Sequence, residues 1–261
     1  MHSLPNLWNA NDDWTGITSR AERKKRQNRL NQRAWHVVVP PSKPHEYEGA
    51  LILTKPEHKL QVLDLIKKAY QDYTLQTPQV ESLHMLVRLN TLNAFARNAD
   101  HMGLPWEGLC EVDLVSPFNR QSPSLPGCFA ISPNCPASLQ PTSLQQKIIH
   151  HPWIDLLPFP QMKNNILLAI KSGLLDEDDL CDDILEVWVA DKNQRPSLIT
   201  WGESSNTMAW EISLPFLRKW GWLLAGCRDI FEATNYWRER RGQAKINFEK
   251  IQEIIANETS V

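Results

Sequence analysis

Three prolines, Pro40, Pro41 and Pro44, follow closely on the most basic segment of the chain and limit any helix that begins there. Proline lacks a backbone N–H and clashes with the preceding turn, which costs about 3 kcal/mol or more inside a helix. A helix that begins near Ser19 is therefore expected to end before Pro40. We predict that residues 1–45 form a separate basic arm, either helical or disordered, in front of a globular body at residues 46–261.

The charge of the arm indicates a polyanionic partner. Residues 20–33 (RAERKKRQNRLNQR) carry seven cationic side chains and one acidic one, a net charge of +6, and the whole chain carries −2, so the other residues carry −8. A basic segment on an acidic body is typical of DNA-binding proteins, because repulsion by the body directs the contact to the arm. We expect the arm to bind the phosphates of double-stranded DNA through its seven cationic residues: Arg20, Arg23, Lys24, Lys25, Arg26, Arg29 and Arg33.

A helical arm would also present side chains that can read bases. Asn28, Gln32, Trp35 and His36 are spaced at i, i+4, i+7 and i+8 and share one helical face. Asn and Gln hydrogen-bond to adenine in the major groove, and an aromatic ring can pack against a thymine methyl group. A charge run of this kind could instead bind RNA or an acidic protein, or serve only as a nuclear import signal.

The segment NRLNQRAW, Asn28 to Trp35, resembles the basic-region signature of fungal bZIP transcription factors. It matches that signature at Asn28, Gln32 and Trp35. It departs at Asn31, where the family prefers Ala, and at His36, where the family has Arg. The resemblance implies base contacts at all five of these positions. A bZIP helix continues into a leucine zipper, and the three prolines prevent that continuation here.

Three longer segments resemble a fungal domain of unknown function that follows shortened bZIP-like basic regions. They are DDWTGITSRAERKKRQNRLNQRAW, HHPWIDLLPFPQMKNNIL and WEISLPFLRKWGWLLAGCRDIFEATNYWRERRG, in this order along the chain. The resemblance implies a nuclear transcriptional regulator that binds double-stranded DNA. Its body would contact coregulators or effectors, or a homodimer or heterodimer partner.

The body is predicted to be mainly α-helical. Apolar spacing indicates helices at 57–73, 79–102, 160–174, 178–189 and 213–239, and Gly103 is expected to end the second. Ser-Pro and Pro-Gly turns predict a proline-rich irregular connection at about 105–160. Most of the tryptophans beyond the arm should lie in the core. The first helix carries one apolar stripe, formed by Leu60, Leu63, Ile66, Tyr70 and Tyr73.

Two segments of the body allow two interpretations each. The 213–239 helix has apolar residues at alternating intervals of four and three, from Phe216 through Trp220 to Trp237, which could form a dimer seam. Leu217, Leu224 and Phe231 widen this stripe and favour a core helix. The acidic segment 173–188 could be an activation segment, although a buried helix with carboxylates in its first turn is the favoured interpretation.

We find no sequence signature of catalysis. GxSxG, phosphate-loop, dinucleotide-binding and HExxH motifs are absent. His150 and His151 are adjacent and diverge, so no metal site is expected, and the HPWID segment is interpreted as packing with Asp155 in a turn or cap. The five cysteines are an odd number at irregular spacing, which indicates a reduced compartment. No apolar run reaches the ~20 residues that span a bilayer.

We therefore predict a DNA-binding regulator without enzymatic activity or cofactor. The alternatives are a cofactor protein that does not bind DNA and a helical body that senses a small molecule.

Overall fold

The computed structural model describes residues 59–75, 80–104, 114–119, 134–185 and 195–248. Within these ranges the fold is mainly α-helical, as predicted, with one two-stranded antiparallel sheet that we did not predict. The helices are α1 (Lys59–Thr74), α2 (Val80–Met102), α3 (Pro160–Lys171), α4 (Glu177–Leu185), α5 (Leu214–Trp220) and α6 (Arg228–Arg240). The strands are β1 (Leu198–Thr200) and β2 (Trp210–Ile212).

Helix α2 is the central helix of the core. Its apolar residues are buried on several sides, with Leu86, Leu89 and Phe95 at most 1% exposed. The helix ends as predicted at Gly103, which adopts φ 72°. Leu104 N then donates to Ala99 O at 3.0 Å, the hydrogen bond that characterises a glycine-terminated helix.

The small sheet lies between α2 and α6, and side chains of both helices bond to its backbone. Leu198 pairs with Ile212 and Thr200 with Trp210. On the β1 side, Thr91 Oγ1 donates to Leu198 O at 3.1 Å and Asn90 Nδ2 to Thr200 O at 2.9 Å. On the β2 side, Ile212 N donates to Thr234 Oγ1 at 3.1 Å. Polar residues of two helices thus replace the neighbouring strands that this sheet lacks.

The predicted single helix at 213–239 is wrong, because the chain breaks it near the middle. Ser213 caps α5 by accepting from Phe216 N, with a proline in the first turn. After α5 the chain forms a 3₁₀ turn at Gly221–Leu224 and passes through Gly226 at φ 77° before α6 begins. A positive φ cannot belong to an α-helix and favours glycine.

The core interpretation of this segment is confirmed, and the continuous seam is excluded. Trp237 is half-buried, and the other residues with the alternating spacing are buried: Phe216, Trp220, Leu223, Cys227, Ile230 and Thr234. Trp153 and Trp210 are also buried, as expected for core tryptophans.

Helix α1 is confirmed, but its predicted apolar stripe is not its buried face. Val62, Leu65 and Ala69 are buried, whereas Leu60 and Tyr70 are exposed. The two sets lie on neighbouring sides of the helix, and sequence spacing alone does not decide which one the core covers.

The proline-rich connection is irregular in its described part, as predicted, yet it is closely packed. Residues 134–159 contain only turns and short 3₁₀ segments, including Pro152–Leu156, all five residues of which are buried. Helix α4 carries Glu177, Asp178 and Asp179 in its first turn and buries Leu180 and Ile184, which supports the buried-helix interpretation of the acidic segment. No helix in the described ranges is long and apolar enough to cross a membrane.

Thr234 allows a test of how the sheet edge is stabilised. We expect Thr234→Val to lower the free energy of unfolding by about 1–3 kcal/mol, because Ile212 N–H would stay buried without an acceptor. Thr234→Ser keeps the hydroxyl and should lose only about 0.5–1.5 kcal/mol for the missing methyl group. Urea denaturation of both variants checks this, and a serine variant less stable than the valine variant would contradict it.

Candidate functional site

The residues predicted to contact DNA lie outside the described residues. These are the base-reading positions Asn28, Asn31, Gln32, Trp35 and His36 and the phosphate-binding positions Arg20, Arg23, Lys24, Lys25, Arg26, Arg29 and Arg33. Their roles stay predictions. In the described body, a concentrated group of buried polar and ionisable side chains centres on Asp155.

Asp155 is completely buried and accepts three side-chain hydrogen bonds. Ser116 Oγ donates to Oδ2 at 2.6 Å, while Gln145 Nε2 and His150 Nε2 donate to Oδ1 at 2.5 and 2.9 Å. We call Ser116, Gln145, His150 and Asp155 the Asp155 cluster. Its members come from three separate stretches of the irregular connection, so one carboxylate joins segments that have no regular backbone pairing.

His150 is held as a cation in this cluster. Its Nδ1 lies 2.7 Å from Ile148 O and its Nε2 lies 2.9 Å from Asp155 Oδ1. Both neighbours accept hydrogen bonds, so both ring nitrogens must carry protons to satisfy them. Burial lowers the pKa of His150, but the hydrogen bond to Asp155 and its negative charge outweigh burial, and the net pKa is raised. A buried ion pair results.

A second buried cation lies beside this pair. Lys163 on α3 is 0% exposed, and its Nζ lies 3.5 Å from Ser138 O, which is long for a hydrogen bond. Burial lowers the pKa of Lys163 to about 8, against the attraction of Asp155 and Cys135. Burial also raises the pKa of the Cys135 thiol, which therefore stays neutral at pH 7. Lys163 is thus mostly protonated at pH 7, and its ammonium has only a long hydrogen bond and the more distant charge of Asp155 to compensate it.

The neighbouring His151 links the cluster to α4. Its backbone N–H donates to Glu177 Oε1 at 3.1 Å, and its ring Nδ1 accepts from Trp153 N at 3.3 Å as the cap of the 3₁₀ turn. Burial raises the pKa of Glu177. The two adjacent histidines therefore have different structural tasks, and both lie directly before the turn at Pro152–Leu156, in agreement with the prediction that they lead into Pro152 and Trp153.

The chemistry that these residue types allow is limited by burial. Histidine, aspartate, serine, cysteine and lysine are the usual nucleophiles and acid-base groups of enzymes. Here Ser116, Gln145, Asp155 and Lys163 are each 0% exposed, so a substrate does not reach them in this conformation. In the described ranges no group of three or more His, Cys, Asp or Glu side chains could hold a metal ion. The geometry supports a structural task, which is to fix the irregular connection on α3 and α4.

A second polar group joins the sheet to the end of α6. Glu211 on β2 is buried and accepts from Trp201 Nε1 at 2.9 Å and from both terminal nitrogens of Arg241. The Arg241 guanidinium also lies 5.1 Å from the centre of the Trp201 ring, which stacks on Trp237. These half-buried aromatic and cationic side chains attach the C-terminal end of α6 to the hairpin.

Sequence reasoning found only part of the Asp155 cluster. The HHPWID segment identified His150 and Asp155 as turn residues, but Ser116, Gln145 and Lys163 carry no local motif. Lys163 lies beside the cluster and is followed in sequence by Asn164 and Asn165, so nothing local marks it as a buried residue. A long-range contact of this kind cannot be read from spacing.

Loss of the Asp155 anion should destabilise the body. Asp155→Asn leaves the buried His150 cation without its partner and is expected to cost about 3–5 kcal/mol at pH 6. Because the pKa of His150 is raised in the folded protein, its protonation contributes its full stabilisation of the fold below the unfolded pKa of about 6.5. This contribution declines as pH rises through the folded pKa. This decline above pH 6.5 should be absent from the variant. Urea denaturation across pH checks both effects, with the exposed Asp229→Asn as control; a loss no larger than that of the control would contradict the ion pair.

Removal of the Lys163 charge should stabilise the body. Its folded pKa of about 8 lies below the unfolded value, so the unfolded chain binds more protons between about pH 8 and 10.5, and stability rises with pH there. Lys163→Met should stabilise the body by about 1–3 kcal/mol at pH 7 and remove this rise. The exposed Lys171→Met on the same helix serves as control. A variant less stable than the parent at pH 7 would show that the ammonium is well compensated.

Comparison with known proteins adds one finding to this geometry. Searches of curated proteins and of solved structures give no match. The matched region begins at residue 128, includes three of the four residues of the Asp155 cluster, and ends in α6. Residues 128–230 match the family described as Domain of unknown function (DUF3425).

Proposed function

We propose that this chain is a sequence-reading, DNA-binding transcriptional regulator that acts in the nucleus through its basic arm. The observation that carries the proposal is the spacing of Asn28, Gln32 and Trp35 among seven cationic side chains, a spacing that would place the three on one face if the arm is helical. A nuclear import signal or a general phosphate-binding segment needs the charge alone. Polar and aromatic side chains beside the charges add the contacts to base edges that phosphate binding does not need.

The family match supports the proposal indirectly. It falls on the part of the chain in which HHPWIDLLPFPQMKNNIL and most of the WEISLPF segment resemble the domain that follows shortened bZIP-like basic regions. The description of that family assigns no function to the domain. The match therefore supports the pairing of a basic arm with this body, and the DNA contact stays our proposal.

For the body we propose a binding role in preference to a catalytic one. Its most concentrated ionisable group, the Asp155 cluster with Lys163, is enclosed and joins segments of the connection. Helices α2 and α6 are joined through the hairpin between them by side-chain hydrogen bonds to its backbone. We propose that the body holds and presents the arm and contacts other proteins.

In the proposed mechanism the arm lies in the major groove as a helix. Asn28 and Gln32 hydrogen-bond to base edges, Trp35 packs against a thymine methyl group, and the arginines and lysines bind phosphates. Asn31 and His36 occupy the remaining base-facing positions. The acidic remainder of the chain repels the duplex and limits contact to the arm.

Two substitutions in the arm should have different effects. Asn28→Ala should abolish or relax the preference for selected over scrambled duplexes, with a loss of about 1–3 kcal/mol on the selected site. Arg23→Ala should weaken binding to both duplexes equally and lower the slope of log K against log salt by about one. Arg218→Ala, an exposed cation on α5, is the control and should change neither.

Fluorescence anisotropy titrations at several salt concentrations measure both quantities. If Asn28→Ala and Arg23→Ala weaken binding to selected and scrambled duplexes alike, the arm binds phosphate without reading sequence, and the proposal is wrong.

A further inference from the structure

The end of α6 and the neighbouring hairpin form a partly exposed surface of aromatic, methionine and arginine side chains. Trp237 stacks on Trp201 with 5.1 Å between ring centres, and Tyr236 meets Trp237 edge-on, also at 5.1 Å. The Arg240 guanidinium lies 5.4 Å from the centre of the Tyr236 ring. Met208 is 38% exposed and lies beside Trp237, whose Nε1 donates to Met208 O at 2.8 Å. We call these five residues the α6 surface.

The fold accounts for the two indoles of this surface but not for Arg240. Trp201 Nε1 donates to Glu211 and Trp237 Nε1 to a backbone oxygen, so hydrogen bonds anchor both indoles to the hairpin region. Among the described residues no carboxylate pairs with Arg240. Its Nη1 donates to the neutral hydroxyl of Tyr236 at 2.7 Å, and the tyrosine ring holds the guanidinium in place. Arg240 is therefore a positioned cation without a counter-charge in the part of the chain that the structure describes.

The segment that ends α6 is positive although the chain as a whole is acidic. Residues 238–245 carry four cationic side chains and one acidic one, against −2 for the whole chain. The one acidic residue, Glu239, is already paired with Lys245 at 3.2 Å. Arg238 Nε donates to a backbone oxygen at 2.9 Å, so it too meets no carboxylate among the described residues. A partner that carries carboxylates would supply the charge that Arg238 and Arg240 lack.

The residue types of the α6 surface are those that protein interfaces favour. Tryptophan, tyrosine, methionine and arginine are enriched in interfaces relative to the rest of protein surfaces, and tryptophan, tyrosine and arginine contribute most of the residues that dominate binding energy. The stacked rings and the positioned guanidinium are already fixed, so they lose little conformational freedom when a partner binds.

A protein segment suits this surface better than DNA does. Bases that stack on a protein need an open aromatic face, and here the rings lie against one another and against guanidinium groups. A duplex laid along α6 would also meet Asp229 and Glu232, which are exposed in the first half of the helix. A short acidic segment can contact the end of the helix alone, because charges are screened over about 8 Å at physiological ionic strength.

We propose that the α6 surface binds an acidic segment of another protein, with a carboxylate on Arg240 and an apolar side chain against Met208 and Trp237. The regulatory meaning of this contact rests on the proposed function, in which the body contacts other proteins, whereas the contact itself needs no DNA. The surface is small, so the dissociation constant is expected on the order of micromolar.

Selection of short random peptides displayed on phage tests the proposal. The full chain without DNA is the target, and the full-length Arg240→Glu variant is used for counter-selection. Both proteins carry the same basic arm, so peptides that bind the arm are removed. The remaining peptides should be enriched in Asp and Glu beside aromatic or aliphatic residues. Arg240→Glu should bind them at least about tenfold more weakly, because the substitution reverses the charge that faces their carboxylates.

Two further variants separate the α6 surface from general charge effects. Met208→Glu places a carboxylate in the α6 surface and should also weaken binding of the selected peptides. Arg218→Glu reverses an exposed cation on α5, outside the α6 surface, and should leave binding unchanged. Fluorescence anisotropy with labelled peptides measures the affinities. Unchanged circular dichroism and melting of the three variants would show that the fold is intact.

Three results would overturn the proposal. The first is that no peptide survives counter-selection, and the second is that the survivors are not acidic. The third is that Arg218→Glu weakens their binding as much as Arg240→Glu does. Because no DNA is present, acidic peptides selected by a chain that selects no DNA motif would refute only the proposed function. A DNA motif without such peptides would refute only the role of the α6 surface.

Discussion

The fold of the body depends on how α2 and α6 complete the hydrogen bonding of a two-stranded sheet. A two-stranded sheet is marginal by itself, because each strand leaves one row of backbone groups without partners. Asn90 and Thr91 on α2 donate to β1, and Thr234 on α6 accepts from β2. These buried polar side chains are costly in an apolar core unless they are bonded, so they also fix the position of the sheet between the helices. The sheet in turn carries Glu211, which holds the end of α6 through Arg241.

The same principle explains the irregular connection. Residues 134–159 have few backbone hydrogen bonds to neighbouring elements, and the Asp155 carboxylate supplies contacts in their place. A buried carboxylate is tolerable because His150 compensates its charge, while Lys163 adds a second, weakly compensated cation. Such a network adds little to the free energy of unfolding, but it favours one arrangement of the segments that it joins. The family match covers three of the four residues of this network and both strands of the sheet.

Sequence reasoning succeeded where the determinants are local. The 79–102 helix and its end at Gly103 follow from apolar spacing and from a glycine at positive φ. The hairpin was missed because strands of three residues are too short for an alternating pattern. Residues 213–239 were predicted as one helix because the apolar residues keep helical spacing across the break at Gly226, which separates α5 from α6. The Asp155 cluster joins residues up to 39 apart in sequence, and no spacing rule links Ser116 to Asp155. On α1, residue spacing predicts an apolar stripe that includes Leu60 and Tyr70, but the core covers the neighbouring face formed by Val62, Leu65 and Ala69. Spacing alone does not decide between the two faces.

The central claim is that the arm of this chain reads DNA sequence. Selection of bound duplexes from a random pool by the full-length chain, at near-physiological salt and followed by sequencing, tests it most directly. The account predicts enrichment of a short motif that is lost with Asn28→Ala. Binding that is sensitive to salt but enriches no motif would contradict the claim and leave the chain as a protein cofactor or a ligand-sensing body with a basic import signal.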